Sequence, residues 1–194
     1  MVSPHPAPDL LDEIAASALP AGPLPGQVGA HLAGFASTLR FSALLLVFYG
    51  FFFNLSVVRG SSMLPGIQDG DRILVEPWSY LLGPVERGDV IVLRYPLDPE
   101  IDYIKRVIGV PGDRVSLAHG EVWVNGEALD EPYVEAVDPS SVLSVEVAEG
   151  NYFVLGDNRP RSSDSRDFGM VPEAYVRGRV DLCLWPPARV GLIE

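Results

Sequence analysis

Residues 102–113 read Asp102-Tyr103-Ile104-Lys105-Arg106-Val107-Ile108-Gly109-Val110-Pro111-Gly112-Asp113, a run of β-branched and aromatic residues closed by Pro-Gly-Asp. That composition favours a pleated strand ending in a turn. Successive side chains of a strand alternate faces, so Lys105 shares a face with Tyr103 and Val107 while Arg106 takes the other. One cation is therefore expected to be buried and the other to reach water. The same pattern continues on both sides of this run. Short apolar stretches separated by Gly, Asp and Pro mark candidate strands at 72–76, 89–95, 102–110, 113–117, 121–124, 142–147, 151–155 and 176–184. Asn125-Gly126 after Val122-Trp123-Val124 is the signature of a two-residue hairpin whose central positions need positive φ. The expectation is one antiparallel β domain over 59–194, with 114–150 forming a hairpin and a surface excursion around the polar segment 138–144.

The portion before residue 59 is different. Residues 41–58, FSALLLVFYGFFFNLSVV, run between Arg40 and Arg59 without a charge. As a helix this run is about 27 Å long, close to the ~30 Å hydrocarbon core of a bilayer, and it is expected to be a single transmembrane anchor. A buried core helix is the alternative, but such a helix normally carries a polar stripe. A cleaved export signal fits less well, because its apolar run is shorter and follows a basic segment, whereas Asp9, Asp12 and Glu13 precede this one. Arg40 and Arg59 flank both ends, so charge gives the span no orientation. Residues 1–40, with Pro4, Pro6, Pro8, Pro20, Pro23 and Pro25, are expected to be a mobile tail with a short amphipathic turn at 10–19.

Composition excludes several classes. The 194-residue chain is 47% hydrophobic and 21% charged with mean hydropathy +0.19, too apolar for a disordered protein. A net charge of −12 removes the general attraction to phosphate backbones, so no nucleic-acid partner is expected. A lone cysteine, Cys183, forms no internal disulfide and reads as a small core residue rather than a nucleophile. The acids at Asp69, Asp71 and 157–167 lack a calcium-loop pattern, and neither metal nor cofactor is expected.

Candidate bases are few. His5 and His31 precede the apolar run, and His119 sits in the turn Ala118-His119-Gly120-Glu121, where a solvated loop histidine is the simpler reading. Lys105 is the only lysine in the chain. Arginine does not accept protons near neutral pH, whereas a desolvated lysine does. An exposed lysine guarding an edge strand is the competing reading of the segment by itself.

Its companions change that balance. Arg59-Gly60-Ser61-Ser62-Met63-Leu64-Pro65-Gly66-Ile67 with Asp69-Gly70-Asp71 follows the apolar run at once. Three blocks come after it in order: Gly88-Asp89-Val90-Ile91-Val92-Leu93-Arg94-Tyr95-Pro96, the 103–113 stretch, and Gly156-Asp157-Asn158-Arg159 leading to Ser162-Ser163-Asp164-Ser165-Arg166-Asp167-Phe168-Gly169. Together they resemble the bacterial type I signal peptidases, membrane-anchored endopeptidases with a Ser-Lys pair, over nearly all of 41–185. The resemblance implies a mainly β fold, shared with the self-cleaving repressors, plus one N-terminal transmembrane helix. It implies Ser62 as nucleophile, Lys105 as general base, Ser162 as the hydroxyl orienting the amine, and Asp164 with Arg166 as a supporting ion pair. By the same resemblance Val58, Ile67, Tyr103 and Ile104 line the pockets for small side chains at −1 and −3 of an export signal, though ordinary packing is their alternative. The implied partners are secretory preproteins, the lipid bilayer and an export translocon, and the implied location is the bacterial inner membrane with the β domain outside the cytoplasm. Gly60 lacks the hydroxyl that assists in some relatives, Gly66 replaces a common threonine, and Pro160-Arg161 is unusual before Ser162. A self-cleaving repressor would carry a basic DNA-binding helical domain in place of the tail and span. A membrane-anchored module that binds peptides without cutting them remains the rival from another class.

Overall fold

The computed structural model describes residues 25–52 and 54–193, with side chains described for 34–50 and 54–193. Two units divide between Phe48 and Tyr49. An N-terminal helix runs Pro25–Phe52, opened by a proline whose fixed φ suits the first helical turn. The expected anchor at 41–58 is thus corrected at both ends. Residues 25–40 join the helix because they hold no charge before Arg40, and Asn54–Val57 leaves it to form a strand. Within the described residues no helix is long and apolar enough to cross a membrane. The tail reading over residues 1–24, with its turn at 10–19, lies outside the described residues.

The second unit is mainly β, and its described strand pairs are antiparallel, with short helical turns at Ser79–Leu82 and Ser165–Phe168 among them. Its strands are β1 Asn54–Val57, β2 Arg72–Glu76, β3 Val90–Tyr95, β4 Asp98–Gly109, β5 Arg114–Ala118, β6 Glu121–Val124, β7 Glu127–Ala128, β8 Leu143–Glu146, β9 Asn151–Leu155, β10 Val171–Pro172, β11 Val176–Trp185 and β12 Gly191–Leu192. One sheet has the order β1-β2-β11-β3-β4-β9-β10, with β12 also on β11, and a smaller one the order β7-β6-β5-β8. Each expected strand is present within a few residues of its bounds. The hairpin turn sits at Asn125 and Gly126, both at positive φ.

The centre of the large sheet is covered on both faces. Val90 and Val92 of β3 enter one core cluster with Val58, Met63 and Ile67, while Ile91 and Leu93 enter another with Val107 and Val154. On β4, Ile108 faces the small sheet and packs with Val115, Val122 and Phe153. Gly109 sits where β4 slips its register against β9, and a Cβ there would fall 2.5 Å from Val115 Cγ2. This two-sided burial corrects the expected fate of the paired cations, since Lys105 and Arg106 are both only 3% exposed.

Candidate active site

Ser62 is carried by the loop from Val58 to Asp71. Its base is closed by Val58 N–H to Asp71 O (2.8 Å) and Gly70 N–H to Val58 O (2.9 Å). Met63 and Ile67 are buried in the core beneath and anchor the loop, which leaves Ser62 half-buried at the surface of the cleft. Gly60 has φ +108°, where a side chain is strained, and its N–H donates to Asp69 Oδ1 at 2.8 Å. The hydroxyl missing at this position thus follows from the backbone. At Gly66 a Cβ would meet nothing closer than Met63 O at 3.8 Å. Arg189, near the C-terminal end, braces the loop by donating to both oxygens of Asp71 (3.0 and 2.7 Å) and to Gly66 O (3.0 Å). Burial raises the Asp71 carboxyl, but the Arg189 guanidinium and the Gln68 N–H outweigh it and hold the pKa below its ordinary value.

Lys105 reaches this loop from β4. Its Nζ donates to Ser62 Oγ at 2.9 Å and to Ile104 O at 2.9 Å, and lies 4.9 Å from the Tyr103 ring centre. Burial lowers its pKa to about 8, against the opposing pull of the Asp164 and Asp157 carboxylates; the Arg166 cation adds to the lowering. At pH 7 a group with pKa near 8 is roughly one-tenth neutral, about 300 times the fraction of an unperturbed lysine.

The third wall is the turn after β9. Asn158 donates from its backbone N–H to Ser62 O (2.9 Å) and from Nδ2 to Ser61 O (3.0 Å), which fixes the carbonyls on either side of the Ser62 N–H. Gly156 is packed so closely that a Cβ would overlap Ser162 Oγ and Ser62 O. Asp164 accepts from Gly156 N–H (3.1 Å) and forms a two-point pair with Arg166 (2.8 Å each). Behind the turn, Arg106 grips Asp157 at two points (3.0 and 2.8 Å) with its guanidinium stacked 3.8 Å from the Tyr133 ring centre. Arg159 grips Glu131 at two points (2.6 and 3.0 Å) and donates to Gly156 O (3.0 Å).

The structure therefore brings together Ser62, Lys105, Ser162, Asp164 and Arg166. Ser162 differs from expectation in one respect. Its Oγ is buried and makes no hydrogen bond among the described residues, Lys105 Nζ being engaged by Ser62 and Ile104 instead. A cleft of about 600 Å³ opens in front of the pair, and Val58, Tyr103 and Ile104 line it. Ile67 does not line it. It is 2% exposed in the core under the loop, so its packing alternative holds. His119 lies exposed in its turn and Cys183 is buried. Asn158 belongs to the quoted block that shapes this turn, whereas Glu131, Tyr133 and Arg189 were not singled out from the sequence, because they act across long sequence separations that spacing does not report.

Comparisons with known proteins bear on the family to which the chain belongs. The family model described as signal peptidase, peptidase S26 matches residues 33–185. A probable signal peptidase I-2 from Synechocystis is 42% identical over 142 residues, 70% of this chain and 65% of that protein, so the chain spans just under two thirds of its length. Signal peptidase I of Bacillus caldolyticus is 39% identical over 150 residues, 70% of this chain and 81% of that protein. A crystal structure of a signal peptidase I from Enterococcus faecalis is 35% identical and aligns with 50% of this chain and 97% of that one, at a TM-score of 0.46. With a family match over most of its residues, this chain belongs to the bacterial type I signal peptidases of peptidase family S26.

Proposed function

We propose that the chain is a membrane-anchored serine endopeptidase that removes N-terminal signal peptides from exported preproteins, cutting after small residues in an Ala-x-Ala context. The observation that carries this reading is the 2.9 Å contact between Lys105 Nζ and Ser62 Oγ in a buried site that lowers the amine's pKa to about 8. In the reaction the neutral amine takes the Ser62 proton as Oγ attacks the scissile carbonyl, and the resulting ammonium protonates the departing amine. The same amine then activates a water that hydrolyses the acyl-enzyme. The Ser62 N–H has no partner among the described hydrogen bonds and is the first donor for the oxyanion. The orphan Ser162 hydroxyl supplies a further partner for the lysine as its bonds rearrange.

Substrate entry has structural support of its own. β9 pairs β4 only from Arg106 onward, so the edge of β4 at 101–105 is unpaired on that side and borders the cleft opposite β1. An extended peptide adds to such an edge by main-chain hydrogen bonds, with its small side chains toward Val58 and Ile104. Anchoring in the bacterial inner membrane with a single span is part of this proposal: no described helix is long and apolar enough to be such a span by itself, but the described side chains of the helix Pro25–Phe52 are all exposed, the apolar Phe41, Leu44 and Leu46 being 68–71% accessible. Apolar side chains displayed on every face have no aqueous rationale.

The decisive experiment is incubation of the full chain in detergent with a preprotein. One cut after Ala-x-Ala is expected, lost in Ser62→Ala and Lys105→Ala and mostly kept in Ser61→Ala. No cut at any pH from about 6 to 10, a range bracketing the shifted amine, would favour the peptide-binding module.

A further inference from the structure

The chain has a net charge of −12, yet its cleft is cationic. Arg59 and Arg161 line it with no carboxylate in salt-bridge range among the described residues, whereas every arginine that forms an ion pair, from Arg87 to Arg189, lies outside the lining. The one acidic side chain of the lining, Asp102, already meets Arg177 at 3.5 Å. Arg161 is exposed and ends the short turn Arg159–Arg161, donating its backbone N–H to Asn158 O at 3.0 Å. Asn158 in turn holds the carbonyls of Ser61 and Ser62. Arg161 is therefore tied to the Ser62 part of the lining, while the apolar wall comes from Val57 and Val58, Ile73 of β2, Val92 of β3 and the 101–104 stretch of β4.

We infer that Arg161 is a specificity-determining residue, favouring substrates with Asp or Glu among the first residues after the cleaved bond. The inference rests on Ser62 as the attacking group. The segment before the bond carries the small side chains that this apolar wall receives, so the departing segment is the one left to meet the free guanidinium. A narrow, low-dielectric cleft focuses the field of such a cation more than an open surface does.

The test uses the full chain in neutral detergent and a peptide series identical up to the cut, with Asp, Gln or Lys at the first, second or third position after it. The readout is the ratio of kcat/KM between peptides, which cancels any general loss of activity in a variant. The wild type is expected to favour Asp over Gln by about 1.5- to fivefold at one of these positions, the range of an exposed ion pair, and to disfavour Lys. The contrast shrinks near 1 M salt, where screening acts over about 3 Å. Arg161→Gln flattens the ranking and Arg161→Glu reverses it. Equal treatment of Asp, Gln and Lys by the wild type, or an unchanged ranking in both variants, overturns the inference while leaving Ser62-dependent cleavage intact. Failure to cut any peptide overturns the protease reading itself.

Discussion

The amine of Lys105 feels three charges whose effects have known sign. Asp164 and Asp157 raise its pKa and Arg166 lowers it, all against a larger lowering by burial. The acid limb of kcat/KM is expected near pH 8 for the wild type. Asp164→Asn removes a stabilising carboxylate and moves the limb to lower pH, while Arg166→Gln removes a repelling cation and moves it higher. Both substitutions break the same ion pair, so a purely structural effect would displace the two profiles alike. A pH–rate series on the three proteins decides it. The same amine also sets a stability trend. Below pH 8 it is charged in both folded and unfolded chains and its burial costs stability. Between about 8 and the ordinary value of 10.5 the unfolded chain binds more protons, so stability rises with pH, by on the order of 3 kcal/mol in total. Lys105→Met is therefore expected to raise the melting temperature at pH 7, with the gain fading as pH approaches 10.5.

The strands show how far pattern reading goes. β2, β6 and β9 stand at their expected bounds because β-branched alternation and flanking Gly, Asp and Asn mark both ends. β1 was hidden, since Asn54-Leu55-Ser56-Val57 continues an apolar run that periodicity assigns to helix, and only its pairing with β2 distinguishes it. Likewise Ser62 and Lys105 were legible from local blocks and from lysine scarcity. The burial of Arg106 was not, because its cover is Tyr133, from a loop with no local signal for that contact. That loop also supplies Glu131 to Arg159, and the two pairs join the small sheet's connection to the turn that holds Ser62. Glu131→Ala leaves a guanidinium that is 3% exposed without its partner, a change that typically costs about 3 kcal/mol. Activity is expected to fall in kcat rather than KM, on the order of tenfold, as the Ser62 carbonyl loses its fixed support. Urea unfolding and steady-state kinetics on one preparation measure both.

For the molecule as a whole, the boundary between helix and β domain has a practical meaning. A chain that begins at Asn54 keeps β1, and with it the ladder from Asn54↔Val75 to Val57↔Arg72. It is expected to fold and to cleave soluble peptides while losing flotation with lipid vesicles. A chain that begins at Arg59 loses β1 and the buried Val58, and with that one side chain about 2 kcal/mol of apolar burial, so its unfolding midpoint in urea is expected to drop sharply. The solitary lysine has a further use. Apart from an α-amino group, Lys105 Nζ is the chain's sole primary amine, so reductive ¹³C-methylation of the unfolded chain followed by refolding would install one side-chain NMR reporter at the heart of the cleft. Its chemical shift against pH would follow the proton of the proposed base directly, in a spectrum free of competing lysine signals.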